Sequence, residues 1–284
     1  MTRRLALSFS GAGHLVCYQL GAAKALMESK PAPVAFGGSS AGAFAAVACA
    51  VFPWRLEELA LEHAVRGECL DGLCRMLEGD NDPDRRAREC SGRVHVALTR
   101  CRTGDAATLS EFESLEHLAT ALVAGAAIPP SFHPFDMFRG EDHPSPGTRR
   151  RATYPYHHGF RLDTATEASA SDEWFVDGGI AAAAGPTAQL EERTGLDAVV
   201  VAPVSGGDDP VARLSPRDPR TLPLGALPDV VVGGNLRVRP TLRNLRRLQH
   251  SVAADEAVLR DFYARGVDDG FAWLSEHGEA LSDG

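Results

Sequence analysis

The first fifty residues contain two apolar segments, each followed by a glycine-containing turn and a helix-like run. Residues 5–10 form the first short apolar stretch, and residues 34–36 form the second. After the first turn, apolar positions in residues 14–27 recur at helical spacing, and after the second an alanine-rich run extends to residue 51. Two consecutive strand–turn–helix units are typical of a parallel sheet with crossover helices. The pattern therefore predicts an α/β fold.

The remaining periodicity predicts further elements along the chain. Helices are predicted at residues 55–65, 70–77, 114–124 and 241–266, and strands at residues 94–99, 173–176 and 198–204. In the last of these helices, Leu242, Leu245, Leu248 and Val252 form an apolar stripe. Residues from about 129 to 171 are rich in proline, glycine, histidine and arginine, and predict a long loop-rich excursion of the kind that forms lids or binding loops.

We expect one domain spanning residues 1–284, since no internal repeat is visible and the excursion has little periodicity of its own. Its core covers about residues 5–204, and its C-terminal helical part covers about residues 241–277. The composition, with 44% hydrophobic and 24% charged residues, is typical of a globular protein with a sizeable core.

The formal net charge of −9 argues against a nucleic-acid-binding protein. A local exception is a cluster of five arginines: Arg237, Arg239, Arg243, Arg246 and Arg247. A solvated helix face is the simpler interpretation of this cluster, and contact with anionic lipid headgroups is the alternative.

The longest apolar run, residues 41–53, is shorter than the ~20 residues that a membrane-spanning helix needs. The first residues lack the apolar region of a signal peptide. The six cysteines show neither a CxxC pair nor the spacing of zinc ligands. We therefore expect a cytoplasmic protein with reduced thiols, whose contact with membranes or lipid droplets is peripheral.

The turn after the second predicted strand reads Gly38-Ser39-Ser40-Ala41-Gly42, a G-x-S-x-G pattern between a strand and a helix. In a nucleophile elbow, the serine occupies a strained turn so that its hydroxyl projects at the start of a helix. Glycines on both sides avoid clashes with the backbone, and the helix N-terminus favours a developing alkoxide. Ser40 is therefore a candidate nucleophile, with Gly38 and Gly42 as the elbow glycines. The alternative is a small-residue turn that lets a helix pack closely on a sheet.

The turn after the first strand contains Gly11, Ala12 and Gly13 and offers consecutive backbone N–H groups without bulky side chains. Such donors can form an oxyanion hole, where the loss of one donor costs ~3 kcal/mol of barrier. The competing interpretation is a dinucleotide-binding turn. That motif needs a small residue where this chain has Val16, and an acidic residue at the end of the second strand, which this chain lacks.

A base must accompany the nucleophile, and none of the ten histidines, His250 included, occupies a persuasive turn after a strand. Asp177 does, because it ends an apolar strand and is followed by Gly178 and Gly179. A carboxylate there can accept the hydroxyl proton and return it to the leaving alkoxide. Taken alone, an Asp-Gly-Gly sequence is more simply explained as a turn.

The three features occur in one order, and in that order they resemble the patatin-like phospholipase family, and within it the adipose triglyceride lipase-like subgroup. The segments similar to that subgroup are residues 9–15, 91–99, 128–130, 174–179, 201–206 and 244–248. The likeness covers most of the chain, and its ordered motifs are more specific than any one of them.

The resemblance implies a patatin-like three-layer α/β/α sandwich with a mainly parallel central sheet. It implies Ser40 as the nucleophile, Asp177 as its base without a histidine, and Gly11, Ala12 and Gly13 as the lining of the oxyanion hole. The implied activity is that of a serine lipid acyl hydrolase, of the triacylglycerol lipase or phospholipase A type. It would act on acylglycerols or phospholipids through an acyl-enzyme, with no metal or other cofactor.

The chain departs from the subgroup at two positions near the site. Ala12 stands where cysteine is usual, and Ser39 stands where alanine or threonine is more common. A transacylase that uses the same residues and a catalytically silent lipid-binding module remain alternatives, and the sequence identifies no protein co-activator.

A metal-binding interpretation rests on three histidines of the excursion: His143, His157 and His158. Their spacing and loop context favour a polar loop over a metal cluster.

Overall fold

The computed structural model describes residues 4–128, 160–161, 174–207, 209, 211–217 and 228–282. Apart from residues 160–161, the predicted excursion at residues 129–171 lies outside the described residues, and so do its three histidines. The prediction that this excursion forms a lid or binding loop therefore stays a prediction.

The described strands are β1 Leu5–Phe9, β2 Ala35–Gly38, β3 Val94–Arg100, β4 Ala106–Leu109, β5 Phe160–Arg161, β6 Trp174–Asp177, β7 Asp197–Val201, β8 Arg213–Leu214, β9 Val230–Val232 and β10 Leu236–Val238. The described α-helices are α1 Val16–Met27, α2 Ala41–Val51, α3 Leu56–Glu58, α4 Cys69–Glu78, α5 Pro83–Cys90, α6 Leu115–Gly125, α7 Thr187–Thr194, α8 Leu242–Val252 and α9 Glu256–Ser282. Short 3-10 turns at Gly13–Leu15 and Gly178–Ile180 follow β1 and β6, and a π-helical turn at Leu59–His63 follows α3.

The central sheet has the strand order β5-β6-β3-β2-β1-β7-β8, and β4 pairs with β3. From β3 to β8 all neighbours on this path are parallel, whereas β6 and β4 run antiparallel to β3. This topology confirms the predicted α/β fold with a mainly parallel sheet. Because the carboxyl ends of parallel strands lie at one edge, the turns after β1 and β2 are neighbours.

The alternation of side chains along the strands divides the apolar core between two faces of the sheet. On β1, Leu7 and Phe9 pack with the helices of the larger face, which include α1, α2 and α9. Ala6 points to the opposite face, where it packs with Leu190 of α7. Small residues on that second face let α7 approach the sheet closely. The three-layer α/β/α arrangement is therefore present, as predicted.

The C-terminal helix α9 packs directly on α1 because glycines remove side chains at their crossing. A Cβ placed on Gly21 would lie 2.2 Å from the Tyr263 carbonyl oxygen, and one on Gly266 would lie 2.1 Å from the Tyr18 carbonyl oxygen. The Tyr18 hydroxyl also donates to Asp269 Oδ2 at 3.0 Å. Since α1 follows the turn after β1, α9 supports the helix that leads out of the candidate site.

The prediction of one helix over residues 241–266 is wrong in two respects. The chain leaves helical geometry between α8 and α9, where residue 253 is extended. In α8 the predicted apolar stripe faces outward, with Leu242, Leu245 and Leu248 all exposed. Arg247, predicted as part of a solvated cluster, is buried. Polar contacts rather than apolar packing thus determine which side of α8 faces the protein.

Two further helices were not predicted from periodicity. The charged helix α5 begins at an Asp82 cap whose side chain accepts from the Arg85 N–H, and α7 is short and mostly polar. Within the described residues, no helix combines the length and the apolar character needed to span a membrane. All six cysteines are described, and all are free thiols.

Candidate active site

Ser40 occupies a strained turn between β2 and α2. Its backbone dihedrals are φ 51° and ψ −133°, and it is the one residue other than glycine with positive φ in the described part of the chain. For a residue with a Cβ atom such a conformation costs ~1–3 kcal/mol and persists only where the surrounding structure enforces it. The strain places Ser40 directly before α2, so the helix N-terminus lies at its side chain.

The two elbow glycines are required by space. A Cβ on Gly38 would lie 2.3 Å from the Gly42 carbonyl oxygen, and a Cβ on Gly42 would lie 2.4 Å from the Ser10 carbonyl oxygen. Any side chain at either position would push α2 away from β1 and open the turn. The G-x-S-x-G spacing therefore follows from the contact between this turn and the turn after β1.

Asp177 reaches Ser40 through the register of the sheet. On one side of β3, Gly38 pairs with Val96, and on the other side Asp177 pairs with Leu98. Because Ser40 follows Gly38 by two residues, it lies level with Asp177 across β3. The Ser40 Oγ donates to Asp177 Oδ2 at 2.7 Å.

The second carboxylate oxygen and the backbone of Asp177 are also held. Oδ1 accepts from the Gly179 N–H at 2.6 Å, and the backbone carbonyl accepts from Thr99 Oγ1 at 2.8 Å. The Asp177 N–H donates to the Ala127 carbonyl at 2.9 Å. The carboxylate therefore has a defined orientation, with Oδ2 directed at the serine.

Burial changes the acidity of Asp177, which is 3% exposed. Loss of solvation raises the pKa of its carboxyl to about 6, and the hydrogen bonds from Ser40 and Gly179 oppose this rise. A carboxylate with this pKa is a stronger base than an exposed aspartate and is still mostly ionised at pH 7.

The turn after β1 lies against Ser40. A Cβ on Gly11 would come within 3.8 Å of the Ser40 Cβ. The Gly11 N–H, however, donates to the Ala183 carbonyl at 2.8 Å, so this group is already occupied. Within the described chain, the N–H groups of Ala12 and Gly13 make no such bond. Of the three predicted oxyanion residues, Gly11 thus lines the turn, while Ala12 and Gly13 carry the unoccupied donors.

Curated proteins are similar in sequence to this chain over different lengths of it. No protein-family model matches the chain. The mouse (Mus musculus) 1-acylglycerol-3-phosphate O-acyltransferase Pnpla3, a patatin-like phospholipase domain-containing protein, is 33% identical over 149 residues, which is 45% of this chain and 35% of the relative. The human (Homo sapiens) omega-hydroxyceramide transacylase is 26% identical over 288 residues, which is 94% of this chain and 45% of the relative. These relatives support the resemblance of this chain to the patatin-like phospholipase family.

The relatives agree with the resemblance to the adipose triglyceride lipase-like subgroup. A second omega-hydroxyceramide transacylase, from mouse, is 25% identical over 98% of this chain. The chain spans less than half the length of each of these curated relatives.

Two buried amides that position the candidate site were not predicted. Gln19 of α1 donates through Nε2 to the Ser10 carbonyl at 2.8 Å and to the Val201 carbonyl at 3.0 Å. It thereby joins the turn after β1 to the end of β7. The signal in the sequence is a single amide side chain inside the mostly apolar run of residues 15–23, since a polar group buried there must be hydrogen-bonded.

Asn235 acts on the other side of the same turn. Its Oδ1 accepts from the Ala184 N–H at 2.7 Å, and its Nδ2 donates to the Gly185 carbonyl at 3.0 Å. These bonds hold the loop whose Ala183 carbonyl binds Gly11. The signal in the sequence is the Gly-Gly-Asn turn, but its partner loop lies about fifty residues earlier and cannot be identified from spacing.

Neither a histidine nor a metal site accompanies the Ser40–Asp177 pair in the described part of the chain. No described histidine hydrogen-bonds to Ser40 or Asp177, and no group of three His, Cys, Asp or Glu side chains there is arranged to hold a metal ion. His250 instead lies beside the Phe262 ring, 6.1 Å between centroids.

Proposed function

We propose that this patatin-like chain is a serine lipid acyl hydrolase that uses Ser40 as nucleophile and Asp177 as general base. The observation that carries the proposal is the 2.7 Å hydrogen bond from Ser40 Oγ to Asp177 Oδ2. It joins a strained serine at a helix N-terminus to a buried carboxylate whose pKa is raised. These are the properties that an activated nucleophile and its base require.

In the acylation step, Asp177 Oδ2 takes the hydroxyl proton as Ser40 Oγ attacks the ester carbonyl carbon. The N–H groups of Ala12 and Gly13, together with the N-terminus of α2, are the candidate donors to the negative oxygen of the tetrahedral intermediate. Collapse of the intermediate breaks the bond to the alcohol, which leaves with the proton from Asp177. The product is a Ser40 acyl ester.

In the second step, Asp177 takes a proton from water as the water oxygen attacks the acyl-enzyme. Collapse releases a fatty acid, and Ser40 Oγ recovers its proton from Asp177. The proposed cycle uses only groups of this chain, so we expect turnover to continue in the presence of a metal chelator.

We propose that the substrates are acylglycerols or phospholipids. We also propose that the chain forms a single patatin-like domain. The relatives support this proposal, because their names describe enzymes that act on 1-acylglycerol-3-phosphate and on omega-hydroxyceramide. Two activities fit this proposal. One is triacylglycerol lipase activity at a lipid droplet, and the other is phospholipase A activity.

The direct test of the site is labelling of purified protein by a fluorophosphonate probe. We expect labelling and fatty-acid release from lipid emulsions in the native protein, and loss of both, by at least about 10³-fold, in Ser40→Ala and Asp177→Asn. Ser39→Ala is the matched control, because the neighbouring Ser39 Oγ is buried and has no hydrogen-bond partner. Full activity in Ser40→Ala contradicts the assignment. A folded native protein that is not labelled favours a silent lipid-binding module.

Acyl transfer to an alcohol is a second candidate, favoured by relatives that are named as an acyltransferase and as transacylases. An alcohol in place of water in the second step yields a new ester from the same acyl-enzyme. Competition between acceptors separates the two reactions. Added monoacylglycerol that increases ester product at the expense of free fatty acid indicates a transacylase, whereas unchanged fatty-acid release indicates a hydrolase.

A further inference from the structure

Helix α8 has its polar side buried and its apolar side exposed. Asn244 and Arg247 are 1% and 6% exposed, while Leu242, Leu245 and Leu248 are 59%, 53% and 44% exposed. We call these three leucines the leucine face. In a helix of a water-soluble domain the apolar stripe normally faces the core. The reversal indicates that the leucine face has a partner other than the core of this chain.

Polar contacts explain why α8 keeps this orientation. The Asn244 Oδ1 accepts from the Ser205 N–H at 3.0 Å and from Arg247 Nη1 at 3.0 Å. Its Nδ2 donates to the carbonyl oxygens of Ser205 and Arg239, at 2.7 and 2.8 Å. The Thr241 side chain caps the helix by accepting from the Asn244 N–H. Turning the leucines inward would break the bonds of Asn244 to Ser205 and Arg239, so the exposure of the leucines is built into the fold.

The charge around the leucine face is positive in a chain that is negative overall. The exposed side of α8 carries arginines and no acidic residue, although the formal net charge of the chain is −9. Of the other arginines of this region, Arg239 pairs with Asp229 and Arg247 is buried. Arg243 and Arg246 alternate with the leucines on the exposed side of α8. Exposed Arg237 lies on the adjoining strand β10. Apolar side chains flanked by arginines suit the interface of an anionic lipid surface, where the leucines enter the acyl region and the guanidinium groups meet phosphates.

The leucine face belongs to an element that contacts the candidate site. Helix α8 packs against the Gly13–Leu15 turn, and the His14 ring lies against the backbone of Val252. This is the turn that carries the proposed oxyanion donors. A lipid surface bound at α8 would therefore be adjacent to Ser40.

A second exposed apolar segment adjoins the other side of the site. The side chains of Val230, Val231 and Val232 on β9 are all exposed. The hairpin that follows them packs on the loop after Asp177, since a Cβ on Gly233 would lie 2.1 Å from the Gly179 carbonyl oxygen. Exposed apolar residues thus adjoin elements that contact the turn with the proposed oxyanion donors and the turn after Asp177.

We propose that the leucine face, with the arginines of α8 and the valines of β9, docks this protein on an anionic phospholipid surface. The docking itself needs no catalysis. Its benefit to activity, delivery of an acyl ester to Ser40, rests on the proposed function.

The test measures binding to vesicles of phosphatidylcholine with or without about 30 mol % phosphatidylserine, by flotation of the full chain. We expect the native protein to bind the anionic vesicles. We expect the triple variant Leu242→Ser, Leu245→Ser, Leu248→Ser to bind at least about tenfold more weakly. The double variant Arg237→Gln, Arg246→Gln should lose the preference for phosphatidylserine. Binding should also weaken as ionic strength rises to about 0.5 M.

Matched control variants carry the same changes away from the site. Trp54→Ser removes a side chain that is 68% exposed beyond the C-terminus of α2, at the opposite edge of the sheet from Ser40. Arg85→Gln with Arg88→Gln removes two exposed charges from α5. Both controls should bind vesicles as the native protein does. Circular dichroism and thermal melting establish that each variant is folded.

The outcomes separate docking from catalysis. Ser40→Ala should bind vesicles normally, so a failure of the proposed chemistry leaves the docking result intact. Hydrolysis of a soluble short-chain ester should be unchanged in the leucine variant. Unchanged vesicle binding in that variant overturns the proposal, as does equal binding to neutral vesicles. A concentration-dependent dimer in light scattering that the leucine variant abolishes assigns the face to a second copy instead and also overturns it.

Discussion

Asp177 combines two properties that oppose each other at the scale of a single residue. Burial weakens the acid and so makes its carboxylate a better base, but the same burial makes the ionised form costly in the folded protein. Ser40 shows a similar conflict, since its positive φ is unfavourable for a residue with a side chain. Strain at the serine and an unsolvated charge at the aspartate are both typical of sites selected for reactivity rather than stability.

The pH dependence of activity should follow Asp177. The base must be ionised, and its pKa is raised to about 6. We therefore expect kcat/KM on a soluble ester to rise tenfold per pH unit below about pH 6 and to level off above it. A rate measured from pH 4.5 to 8.5 checks this. A profile that is flat through pH 6, at constant folded fraction, argues against Asp177 as the base.

Asp177→Asn should stabilise the fold while it abolishes turnover. The folded pKa lies above the ordinary value of 3.8, so the folded protein holds the proton more tightly and loses stability as pH rises from about 4 to about 6. Because asparagine does not ionise, the variant does not lose stability in this way. We expect its free energy of unfolding to exceed that of the native protein by about 3 kcal/mol at pH 7.5, and by little below about pH 4. Urea unfolding at several pH values measures the difference, and a less stable variant at pH 7.5 contradicts it.

At the scale of elements, β3 carries the site on one face and a buried histidine on the other. His95 is 1% exposed and pairs with Gly37 of β2, which lies under Pro186 and Leu190 near α7. Burial and the nearby Arg193 charge lower the pKa of His95 to about 4. The sheet thus accommodates this side chain only as the neutral imidazole.

His95→Leu should remove an acid sensitivity of the fold. Because the folded pKa is depressed, stability is fully present above about pH 6.5 and falls as pH decreases toward 4. We expect the native protein to lose about 2–3 kcal/mol over that interval relative to the leucine variant. Because the native protein and the leucine variant both contain Asp177, its opposite contribution to the pH dependence of stability cancels in the comparison. Parallel stability curves for the two proteins, measured by urea unfolding, would show that His95 does not titrate in this way.

Helix α8 illustrates the limit of periodicity at the element scale. The spacing of Leu242, Leu245 and Leu248 correctly indicates a helix with one apolar side. It does not indicate which side faces the protein, because that depends on partners at Ser205 and Arg239. The hydrogen bonds of the Asn244 side chain contribute more to the stability of this orientation than burial of the three leucines against the protein would.

At the scale of the whole molecule, the contact between α1 and α9 joins the C-terminal part to the site. Gly266→Ala places a methyl group against the Tyr18 carbonyl and should lower the free energy of unfolding by about 1–3 kcal/mol. Gly278→Ala on the same helix has no atom within 4 Å of the new Cβ and should be neutral or slightly stabilising. Chemical denaturation of both variants checks the pair. Equal stability of the two would mean that the close packing of α1 and α9 is not needed.

The sequence by itself determined the local parts of this protein. Strands and helices of the first fifty residues follow from apolar spacing, because each needs only near neighbours to specify its geometry. The nomination of Ser40, Gly38 and Gly42 likewise follows from a turn whose steric demands are local. Asp177 was nominated from its own turn, but its role was implied by resemblance rather than by contact.

Only the tertiary structure decided which residues distant in sequence contact one another. Ser40 and Asp177 are 137 residues apart in sequence, and their hydrogen bond depends on the register of β2 and β6 on β3. The occupation of the Gly11 N–H by Ala183 depends on a distant loop in the same way. So does the outward direction of the leucine face. The physical reason is common to all three: hydrogen bonds between segments distant in sequence select the arrangement, and no local pattern encodes a partner's position.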